Sequence, residues 1–521
     1  MTWPRALLVL AATATCAGTL CVLGAAASLA DAQRTGNQHS QDRVPSVEEI
    51  ASRHRAALGK LPALIAHWSG SISKDAQNIH YDIVAARDGR FRQVFSFPLL
   101  QRSEGSNGSV DWTQDENGDV FIETAQHHVS MDARLVRLND ARIDAQHSFV
   151  SGVAQINGRR AYALNTVVAG NLSTIYIDAA SALVDGADFG QYTVRYGAYR
   201  RFQGVPVPTQ VTETDGDSAF TVTVDDVDFR LTRNDFEPPP QRRPQFPDGV
   251  REVSMKFDSP RGLIVVAAAV NGNTVRLLVD SGSTTSIIDA DVAKRLKLPT
   301  GGAARIQGVG TMTGSVAKID SFDLGGMLFR PFFMEAVPLR LPSALAHNGI
   351  DGILGYDLLA SLVMRISYKH GQLRFMLPES FTYAGNGTVI PVDTAKRVPL
   401  VGASVGLNDR GQFTIDTGSD AKLVLYRKFA DANRRDFIML PLDVVQAYAA
   451  GAAGEFPTRL ETISRLNLGS YSLPNVLAQV ALREVGAFGQ SSADGIIGAG
   501  SLALFEAVFL DYAGKRLILE Q

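Results

Sequence analysis

The pattern of hydrophobic and polar positions divides the chain into a long apolar start, a mixed first half and a strand-rich second half. Residues 6–29 carry no charged side chain, whereas residues 47–64 repeat apolar positions with the period of a helix. Apolar and polar residues then alternate, as in strands with one buried face, at residues 119–131, 173–178 and 219–231. We therefore predict a helix followed by an antiparallel sheet for residues 45–233.

The first 32 residues predict export. The uncharged run ends in the small residues Ala30 and Ala32, which fit a signal peptidase site, so cleavage is expected before Gln33. An uncleaved run of this length would instead anchor the protein in a membrane through residues 6–29. Both cysteines lie inside this segment, so a cleaved chain would contain no disulfide. The predicted location is periplasmic or secreted.

Composition marks the remaining boundaries. Residues 234–249 are dense in proline, which neither continues a helix nor fits the interior of a sheet, so we interpret them as an extended linker. The polar residues 33–44 are interpreted as a spacer between the export segment and the first domain. The net charge of −3 over 521 residues gives no reason to expect a nucleic-acid partner.

The second half of the chain is an internal duplication. Two motifs recur in the same order: LLVDSGS at 277–283 with FTIDTGS at 413–419, and IDGILG at 350–355 with ADGIIG at 493–498. The matching positions are 136 residues apart for the first motif and 143 for the second. A near-constant offset indicates duplication of a whole unit. We therefore predict two related lobes, residues 250–378 and 388–521.

Asp280 and Asp416 are the candidate catalytic residues. Each follows an apolar strand and precedes a small hydroxyl residue and a glycine, so the chain turns sharply with the carboxyl group at the strand end. A single motif of this kind is usually only a turn. Two copies in duplicated lobes meet at a pseudo-twofold axis, where adjacent carboxyl groups favour sharing one proton. Such a pair can activate water and protonate a carbonyl oxygen without a metal or other cofactor.

Residues 252–521 resemble the pepsin and retropepsin superfamily, and look most like bacterial retropepsin-like aspartic proteases. The resemblance rests on the apolar-Asp-[Ser/Thr]-Gly-[Ser/Thr] motif and the later apolar-apolar-Gly motif, each present twice. It implies a mainly β fold with two pepsin-like β-barrel lobes, and an aspartic endopeptidase that cleaves polypeptides. The residues that would support the two carboxyl groups are Ser281, Gly282, Ser283, Thr417, Gly418 and Ser419.

The resemblance also assigns roles to four of these side chains. Ser281 and Thr417 would hydrogen-bond across the axis and lock the two loops together. Ser283 and Ser419 would bond the outer carboxylate oxygens and orient the pair. A short helix would follow each apolar-apolar-Gly motif and support the loop from behind.

Members of this superfamily cover their cleft with a glycine-rich hairpin, called a flap. Residues 307–314 are the counterpart in the first lobe, and residues 449–454 are the counterpart in the second. Alternatively, each segment is only a hairpin turn. Neither offers a clear flap tyrosine, which departs from the pepsin pattern. The flap residues expected in the first lobe are Gly308, Val309, Gly310, Thr311 and Met312.

Two further aspartates lie in the repeated motifs, but we do not expect them to be catalytic. Asp351 and Asp494 each precede the first glycine of the IDGILG or ADGIIG motif. A carboxylate there can accept hydrogen bonds from neighbouring backbone N–H groups or cap a short helix. We therefore expect a structural role for both.

The first domain resembles the periplasmic lipoprotein-carrier fold in residues 110–112, 173–178 and 199–208. That family folds a curved antiparallel sheet around an apolar cavity, which implies an apolar ligand for residues 45–233. The leading prediction for the whole chain is an exported aspartic endopeptidase. The alternative is a non-catalytic protein that binds peptide or lipid with a protease-like fold.

Overall fold

The computed structural model describes residues 43–60, 65–74, 77–86, 88–124, 143–168, 171–190, 192–215, 218–230, 236–307, 311–339, 341, 349–406, 409–433, 437–439, 446–451, 454–483 and 493–521. The predicted export segment lies outside the described residues, as do Gly308, Val309 and Gly310. Among the residues within these ranges, no helix is long and apolar enough to cross a membrane.

In the described residues of the first half, one helix is followed by antiparallel strands, as predicted. Helix α1 (Val47–Leu58) begins with a capping box, in which Glu49 N–H donates to Ser46 Oγ and Ser46 N–H donates to the Glu49 carboxylate. It is shorter than the predicted residues 47–64 and is followed by Gly59, whose φ is +73°. The strands that follow are β1 Ile65–Lys74, β2 Gln77–Ala86, β3 Phe91–Ser96, β4 Gln101–Ser106, β5 Val110–Gln114, β6 Val120–Thr124, β7 Phe149–Ile156, β8 Arg159–Val168, β9 Asn171–Asp178, β10 Val184–Phe189, β11 Tyr192–Tyr196, β12 Tyr199–Phe202, β13 Val205–Pro208, β14 Gln210–Asp215 and β15 Ser218–Asp228.

Thirteen of these strands form one antiparallel sheet, and β12 and β13 form a separate pair. The order in the large sheet is β6-β5-β4-β3-β2-β1-β15-β14-β11-β10-β9-β8-β7. Val47 and Ile50 of α1 belong to the same hydrophobic cluster as residues from the sheet, such as Ile79, Val211 and Val222. Burial of these side chains joins the helix and the sheet into one unit.

The second half begins with β16 Glu252–Lys256, β17 Val265–Val270, β18 Asn273–Val279, β19 Ile287–Asp289, α2 Ala290–Arg295, β20 Thr300–Gln307, β21 Thr311–Ile319, β22 Phe322–Leu324, β23 Met327–Phe329, β24 Phe332–Val337, β25 Gly352–Leu354, α3 Tyr356–Leu359, β26 Val363–Ser367 and β27 Gln372–Met376. The second lobe contains β28 Thr388–Pro391, β29 Leu400–Val405, β30 Asp409–Asp416, β31 Leu423–Leu425, α4 Arg427–Ala432, β32 Phe437–Met439, β33 Gln446–Gly451, β34 Gly454–Leu468, β35 Tyr471–Ala481, β36 Gly495–Gly498, α5 Ala499–Leu502, β37 Ala507–Asp511 and β38 Arg516–Glu520. Single 3₁₀ turns occupy Pro260–Gly262 and Pro378–Ser380. The predicted mainly β fold is confirmed.

Each lobe has its own sheet, and a third sheet is shared. The first lobe has a nine-stranded sheet, β20-β21-β24-β19-β25-β18-β17-β22-β23. The second lobe has an eight-stranded sheet, β29-β30-β36-β31-β35-β34-β32 with β33 paired to β34. The shared sheet, β16-β27-β26-β37-β38-β28, joins the lobes through antiparallel pairing of β26 with β37.

The two repeated motifs are neighbours inside each lobe. Strand β25, which carries the first apolar-apolar-Gly motif, lies between β18 and β19 and pairs parallel to β18. Strand β36 lies in the same way between β30 and β31 and pairs parallel to β30. These strands are almost completely buried, which explains their continuous apolar sequence. The arrangement fixes the strand ends from which the two Asp-Ser/Thr-Gly loops leave.

Candidate active site

Asp280 and Asp416 lie side by side where the two lobes meet. Their carboxyl groups are hydrogen-bonded to each other. Each carboxyl group also accepts a bond from its own loop, from Gly282 N–H to Asp280 Oδ1 and from Gly418 N–H to Asp416 Oδ1, both at 2.8 Å. The two loops make the same hydrogen bond at the same distance, so the repeated motifs form a nearly symmetric pair of carboxyl groups.

Crossed hydrogen bonds hold the two loops together. Ser281 Oγ accepts from Thr417 N–H at 3.0 Å and donates to the Ile415 carbonyl oxygen at 2.7 Å. Thr417 Oγ1 accepts from Ser281 N–H at 3.0 Å and donates to the Val279 carbonyl oxygen at 2.8 Å. Ser281 and Thr417 are almost completely buried. Since each hydroxyl bonds only backbone of the other lobe, neither loop can shift without breaking bonds to its partner.

Gly282 and Gly418 allow the two carboxyl groups to come this close. A Cβ atom on Gly282 would lie 2.6 Å from Asp416 Cγ, and one on Gly418 would lie 2.4 Å from Asp280 Cγ. Each glycine therefore packs against the aspartate of the opposite lobe, and any side chain would collide with it.

The Ser283 hydroxyl acts differently from the role implied by resemblance. The Ser283 hydroxyl donates to the Thr285 carbonyl oxygen at 2.7 Å and so braces its own loop. The N–H groups of Ser283 and Ser419 donate to the main-chain carbonyl oxygens of Asp280 and Asp416, at 3.3 and 3.4 Å, and they also lower the pKa of the two carboxyl groups. A backbone donor does not depend on residue type, so the motif alone did not reveal this arrangement.

Burial controls the ionisation of the pair. Each carboxyl group is surrounded by protein, and each residue keeps only part of its surface exposed, as expected at the floor of a cleft. Desolvation raises the pKa of both carboxyl groups, and the adjacent Asp416 carboxylate raises the pKa of Asp280 further. Hydrogen bonds from the loop backbone act in the opposite direction and favour the charged form. Two adjacent carboxyl groups with these shifts favour holding one proton between them.

Two tyrosines near the pair were missed by sequence reasoning. Burial and the charge of Asp416 raise the pKa of Tyr368 and of Tyr512, and the charge of Asp280 also acts on Tyr512. Neither hydroxyl oxygen has a hydrogen-bond partner among the described residues. Tyr368 and Tyr512 each lie in the turn that follows the first strand of the closing strand pair of a lobe, where no motif distinguishes them from core residues.

Asp357 is a third residue that the sequence did not reveal. It lies on α3 and accepts hydrogen bonds from Ser286 N–H at 2.9 Å, Ser286 Oγ at 2.5 Å and Thr285 Oγ1 at 3.4 Å. Ser286 Oγ also accepts from Gly355 N–H at 3.0 Å. Asp357 therefore ties the chain just after the Asp280 loop to the apolar-apolar-Gly motif. Burial raises its pKa to about 7, although the bonds from Ser286 lower it.

Substituting Asp357 by asparagine is expected to change how stability depends on pH. Because its folded-state pKa lies above the unfolded value, Asp357 favours folding below about pH 4, and this contribution is lost as pH rises through about 7. Asparagine keeps the shape but does not ionise, so the variant should become more stable relative to wild type across that window. Thermal unfolding at several pH values from 4 to 8 measures the difference. Asp320→Asn, at an aspartate with 70% side-chain exposure, is the control, and parallel curves for wild type and Asp357→Asn would contradict the assignment.

Asp351 and Asp494 bond neighbouring backbone, as expected. Asp351 Oδ2 accepts from Arg276 N–H at 2.9 Å, and Asp494 Oδ2 accepts from Gln412 N–H at 2.8 Å. These bonds fasten the start of each apolar-apolar-Gly strand to its neighbour. These bonds agree with the expected structural role of both residues.

The predicted flaps are both hairpins in their described parts. In the first lobe β20 pairs with β21 up to Gln307 opposite Thr311. Thr311 is exposed, whereas Met312 is buried in a hydrophobic cluster with Leu278 and Ile353. Met312 therefore anchors the hairpin to the lobe. In the second lobe β33 pairs with β34 up to Gly451 opposite Gly454.

Comparison with known proteins gives a family match within the first lobe. Residues 266–358 match the family model described as aspartyl protease. No curated protein matches the sequence. Among the residues the structure describes, no cluster of His, Cys, Asp and Glu could hold a metal ion.

Several solved structures are similar to this chain. Conglutin gamma from lupine seeds has 13% identity, with 52% of this chain and 94% of that chain covered and a TM-score of 0.32. A retropepsin-like aspartic protease from Rickettsia conorii has 17% identity, with 26% and 89% covered and a TM-score of 0.18. A LolA superfamily protein from Nitrosomonas europaea has 10% identity, with 37% and 98% covered and a TM-score of 0.28.

The family match includes both repeated motifs of the first lobe, with Asp280 in one and Gly355 in the other. The second lobe repeats both motifs in the same strand arrangement. The second half of this chain therefore has an aspartic protease-like fold, and its first lobe matches the aspartyl protease family.

Proposed function

We propose that this protein is an aspartic endopeptidase whose catalytic pair is Asp280 and Asp416. The observation that carries the proposal is the buried, mutually hydrogen-bonded pair of carboxyl groups on two cross-linked loops. Burying two adjacent carboxyl groups costs free energy, so a fold that keeps both gains something other than stability from them. Acid–base catalysis by a pair that shares one proton is a use that fits this geometry.

The proposed reaction needs only the two carboxyl groups and one water molecule. The ionised member takes a proton from the water as its oxygen attacks the peptide carbonyl carbon, and the protonated member donates its proton to the carbonyl oxygen. The resulting tetrahedral intermediate collapses when the C–N bond breaks: the amine nitrogen accepts the proton held by one carboxyl group, and a hydroxyl group of the intermediate gives its proton to the other carboxylate as the C=O bond re-forms. The pair then again holds one proton, so the cycle closes without a covalent intermediate.

The first-lobe hairpin gives the proposed substrate a place to bind. An extended peptide lying between this hairpin and the two loops would donate and accept backbone hydrogen bonds and place alternate side chains on opposite sides. Such binding recognises a polypeptide backbone rather than one sequence. The proposed substrate class is therefore unfolded or extended polypeptide.

A mixed peptide library tests the proposal. The exported chain, residues 33–521, is incubated with the library from pH 3 to pH 8, and mass spectrometry identifies the products. Internal cleavage that rises and then falls with pH is expected, because the pair must hold one proton. The double variant Asp280→Asn/Asp416→Asn should cleave nothing. A folded wild-type chain that cleaves no peptide at any pH would favour the non-catalytic alternative.

Export and an apolar ligand for the first domain remain predictions. Phe149, Val167 and Leu172 expose 56%, 56% and 69% of their surface on strands β7, β8 and β9. Val167 and Leu172 are directly opposite each other in the sheet. These exposed side chains favour binding of an apolar partner. Lipid that co-purifies with the chain would support such a role, which is compatible with peptidase activity.

A further inference from the structure

A cavity of about 590 Å³ lies between the first domain and the first lobe. The first domain contributes residues of β3 to β5 and of the turn after β5, including Phe95, Phe97 and Arg102. The first lobe contributes Thr284 and Thr285 of the Asp280 loop, together with Ile306, Glu335 and Asp357. The volume is within the range of small-molecule and side-chain binding pockets. Both domains are therefore needed to form this site.

Specific bonds fix the first domain against the lobe at this point. Asn117 Nδ2 donates to the Phe333 carbonyl oxygen at 2.9 Å, and Asn117 Oδ1 accepts from Phe333 N–H at 2.8 Å. Asn117 Nδ2 also lies 3.2 Å from Asp357 Oδ2. On another side of the contact, the Leu99 side chain packs so closely on Gly301 that a Cβ there would lie 2.8 Å from it. These contacts therefore hold the two walls of the cavity in a fixed position relative to each other.

The cavity is within reach of a substrate held at the catalytic pair. Thr284 is four residues after Asp280, so their Cα atoms are at most about 14 Å apart. An extended peptide advances by about 3.3 Å per residue. A substrate side chain within about four residues of the scissile bond therefore lies within this distance of the catalytic pair.

The chemistry of the walls favours a long cationic side chain. Phe95, Phe97 and Ile306 provide apolar and aromatic surface. The lining acids Glu104, Asp115, Glu116, Glu335 and Asp357 outnumber the lining bases Arg102 and Arg397. An aliphatic stem packs well on such apolar walls, and a cation is attracted by both the aromatic faces and the excess of carboxyl groups.

The lining bases are already engaged with some of these acids. Arg102 makes two hydrogen bonds to the Glu116 carboxylate, at 2.6 and 2.9 Å. Arg397 lies 3.6 Å from Asp115. Glu335, by contrast, has an Oε2 atom without a hydrogen-bond partner among the described residues. The lining carboxyl groups therefore outnumber the cationic side chains that pair with them among the described residues.

The ionisation of the cavity acids agrees with a shortage of positive charge. Burial raises the pKa of Asp115 to about 8, and the charges of Asp119 and Glu116 raise it further than Arg397 lowers it. Burial and Glu116 likewise raise the pKa of Glu335. An added cation would relieve both effects.

We propose that this cavity is a substrate subsite that takes a lysine or arginine side chain within about four residues of the scissile bond. The first domain supplies one wall of this subsite, so it acts as a specificity element. The inference rests on the proposed peptidase function, which it deepens by naming a preferred class of substrate.

Peptides that differ at one position test the subsite. Arginine, lysine, glutamine, glutamate or leucine is placed at each of the four positions on either side of the cleaved bond, and kcat/KM is measured with the exported chain, residues 33–521. At one position, arginine and lysine should be preferred over glutamine by about tenfold or more, the usual size of a buried charge-assisted bond. Glu335→Gln should reduce this ratio about tenfold, whereas Glu252→Gln, at an exposed glutamate, should not change it.

A second variant covers the case in which Glu335→Gln does not fold. Thr113 lines the cavity from the first domain, and Thr113→Lys places a competing cation there, which should also remove the preference. Equilibrium binding of the arginine and glutamine peptides, measured by fluorescence anisotropy with Asp280→Asn, tests the subsite without turnover. Tighter binding of the arginine peptide is expected.

These experiments distinguish failure of the subsite proposal from failure of the peptidase proposal. Cleavage without a cationic preference, or a preference that neither Glu335→Gln nor Thr113→Lys reduces, overturns the subsite and leaves the peptidase proposal intact. If the wild-type chain cleaves nothing, the peptidase proposal fails. In that case the binding comparison decides, and equal affinity for the arginine and glutamine peptides overturns the subsite as well.

Discussion

Asp280→Asn is expected to lower kcat/KM for peptide hydrolysis by about 10³–10⁴-fold, and Asp416→Asn should do the same. Asparagine can still accept the loop hydrogen bond from Gly282 N–H, but it can neither take a proton from water nor share one with Asp416. The loss should appear mainly in kcat, because the side-chain shape and the peptide-binding surface are unchanged. Initial rates of cleavage of one library peptide measure the effect. The rates are divided by the concentration of folded protein.

The same substitution should stabilise the fold at neutral pH. The raised pKa of Asp280 means that its contribution to folding is greatest at low pH and is lost as pH rises through the folded-state value. A neutral amide avoids this loss, so the melting temperature of Asp280→Asn should rise relative to wild type as pH increases. Asp291→Asn, at an exposed aspartate of α2, is the control and should change neither activity nor the pH profile of stability. Full activity in Asp280→Asn would refute a catalytic role for the residue.

The pairing of Asp280 and Asp416 could be predicted from the sequence because the motif that contains each residue is repeated. Asp280 alone looks like an ordinary turn residue, but the second motif around Asp416 shows that both lie at equivalent places in duplicated lobes. Symmetric packing of such lobes brings equivalent loops together, and the crossed bonds of Ser281 and Thr417 are a consequence. The mainly β fold also followed from the sequence, since alternating apolar positions and buried apolar motifs specify strands.

The surroundings of Asp280 and Asp416 could not be predicted from the sequence in the same way. Asp357 and Asn117 are 240 residues apart in sequence, and their contact depends on how two separately folded units dock. No periodic pattern or motif encodes such a contact, because it is formed by one asparagine in a turn and one aspartate on a single-turn helix. The cavity beside them is likewise a property of the assembled domains.

The proline-rich segment contacts the first domain and the first lobe. The proline-rich segment was interpreted as an extended linker, but parts of it pair with both domains. Gln245 exchanges backbone hydrogen bonds with Leu328 at 2.8 and 2.9 Å, and Arg242 N–H donates to the Gly118 carbonyl oxygen at 3.0 Å. Proline removes donors from a strand but leaves its neighbours free to pair. The linker therefore makes backbone hydrogen bonds to both the first domain and the first lobe.

Gly418→Ala is expected to lower kcat/KM by about 100-fold, because the new methyl group would displace a catalytic carboxyl group by roughly 1 Å. Its Cβ would lie 2.4 Å from Asp280 Cγ and 2.6 Å from both carboxylate oxygens, far inside van der Waals contact. The change adds no charge and removes no hydrogen-bonding group. Activity should therefore fall through geometry alone, and Gly282→Ala should act in the same way through Asp416. Steady-state kinetics on a cleaved library peptide measure the loss.

Gly402→Ala is the matched control, because it adds the same methyl group to strand β29 of the same lobe. A Cβ at Gly402 would meet only the Gln412 Nε2 atom, at 3.9 Å, so activity should remain close to that of wild type. Thermal unfolding of both variants separates a local displacement from a loss of folding. A folded Gly418→Ala protein with wild-type activity would show that the two carboxyl groups need not be held at this separation, and it would contradict catalysis by the pair as proposed.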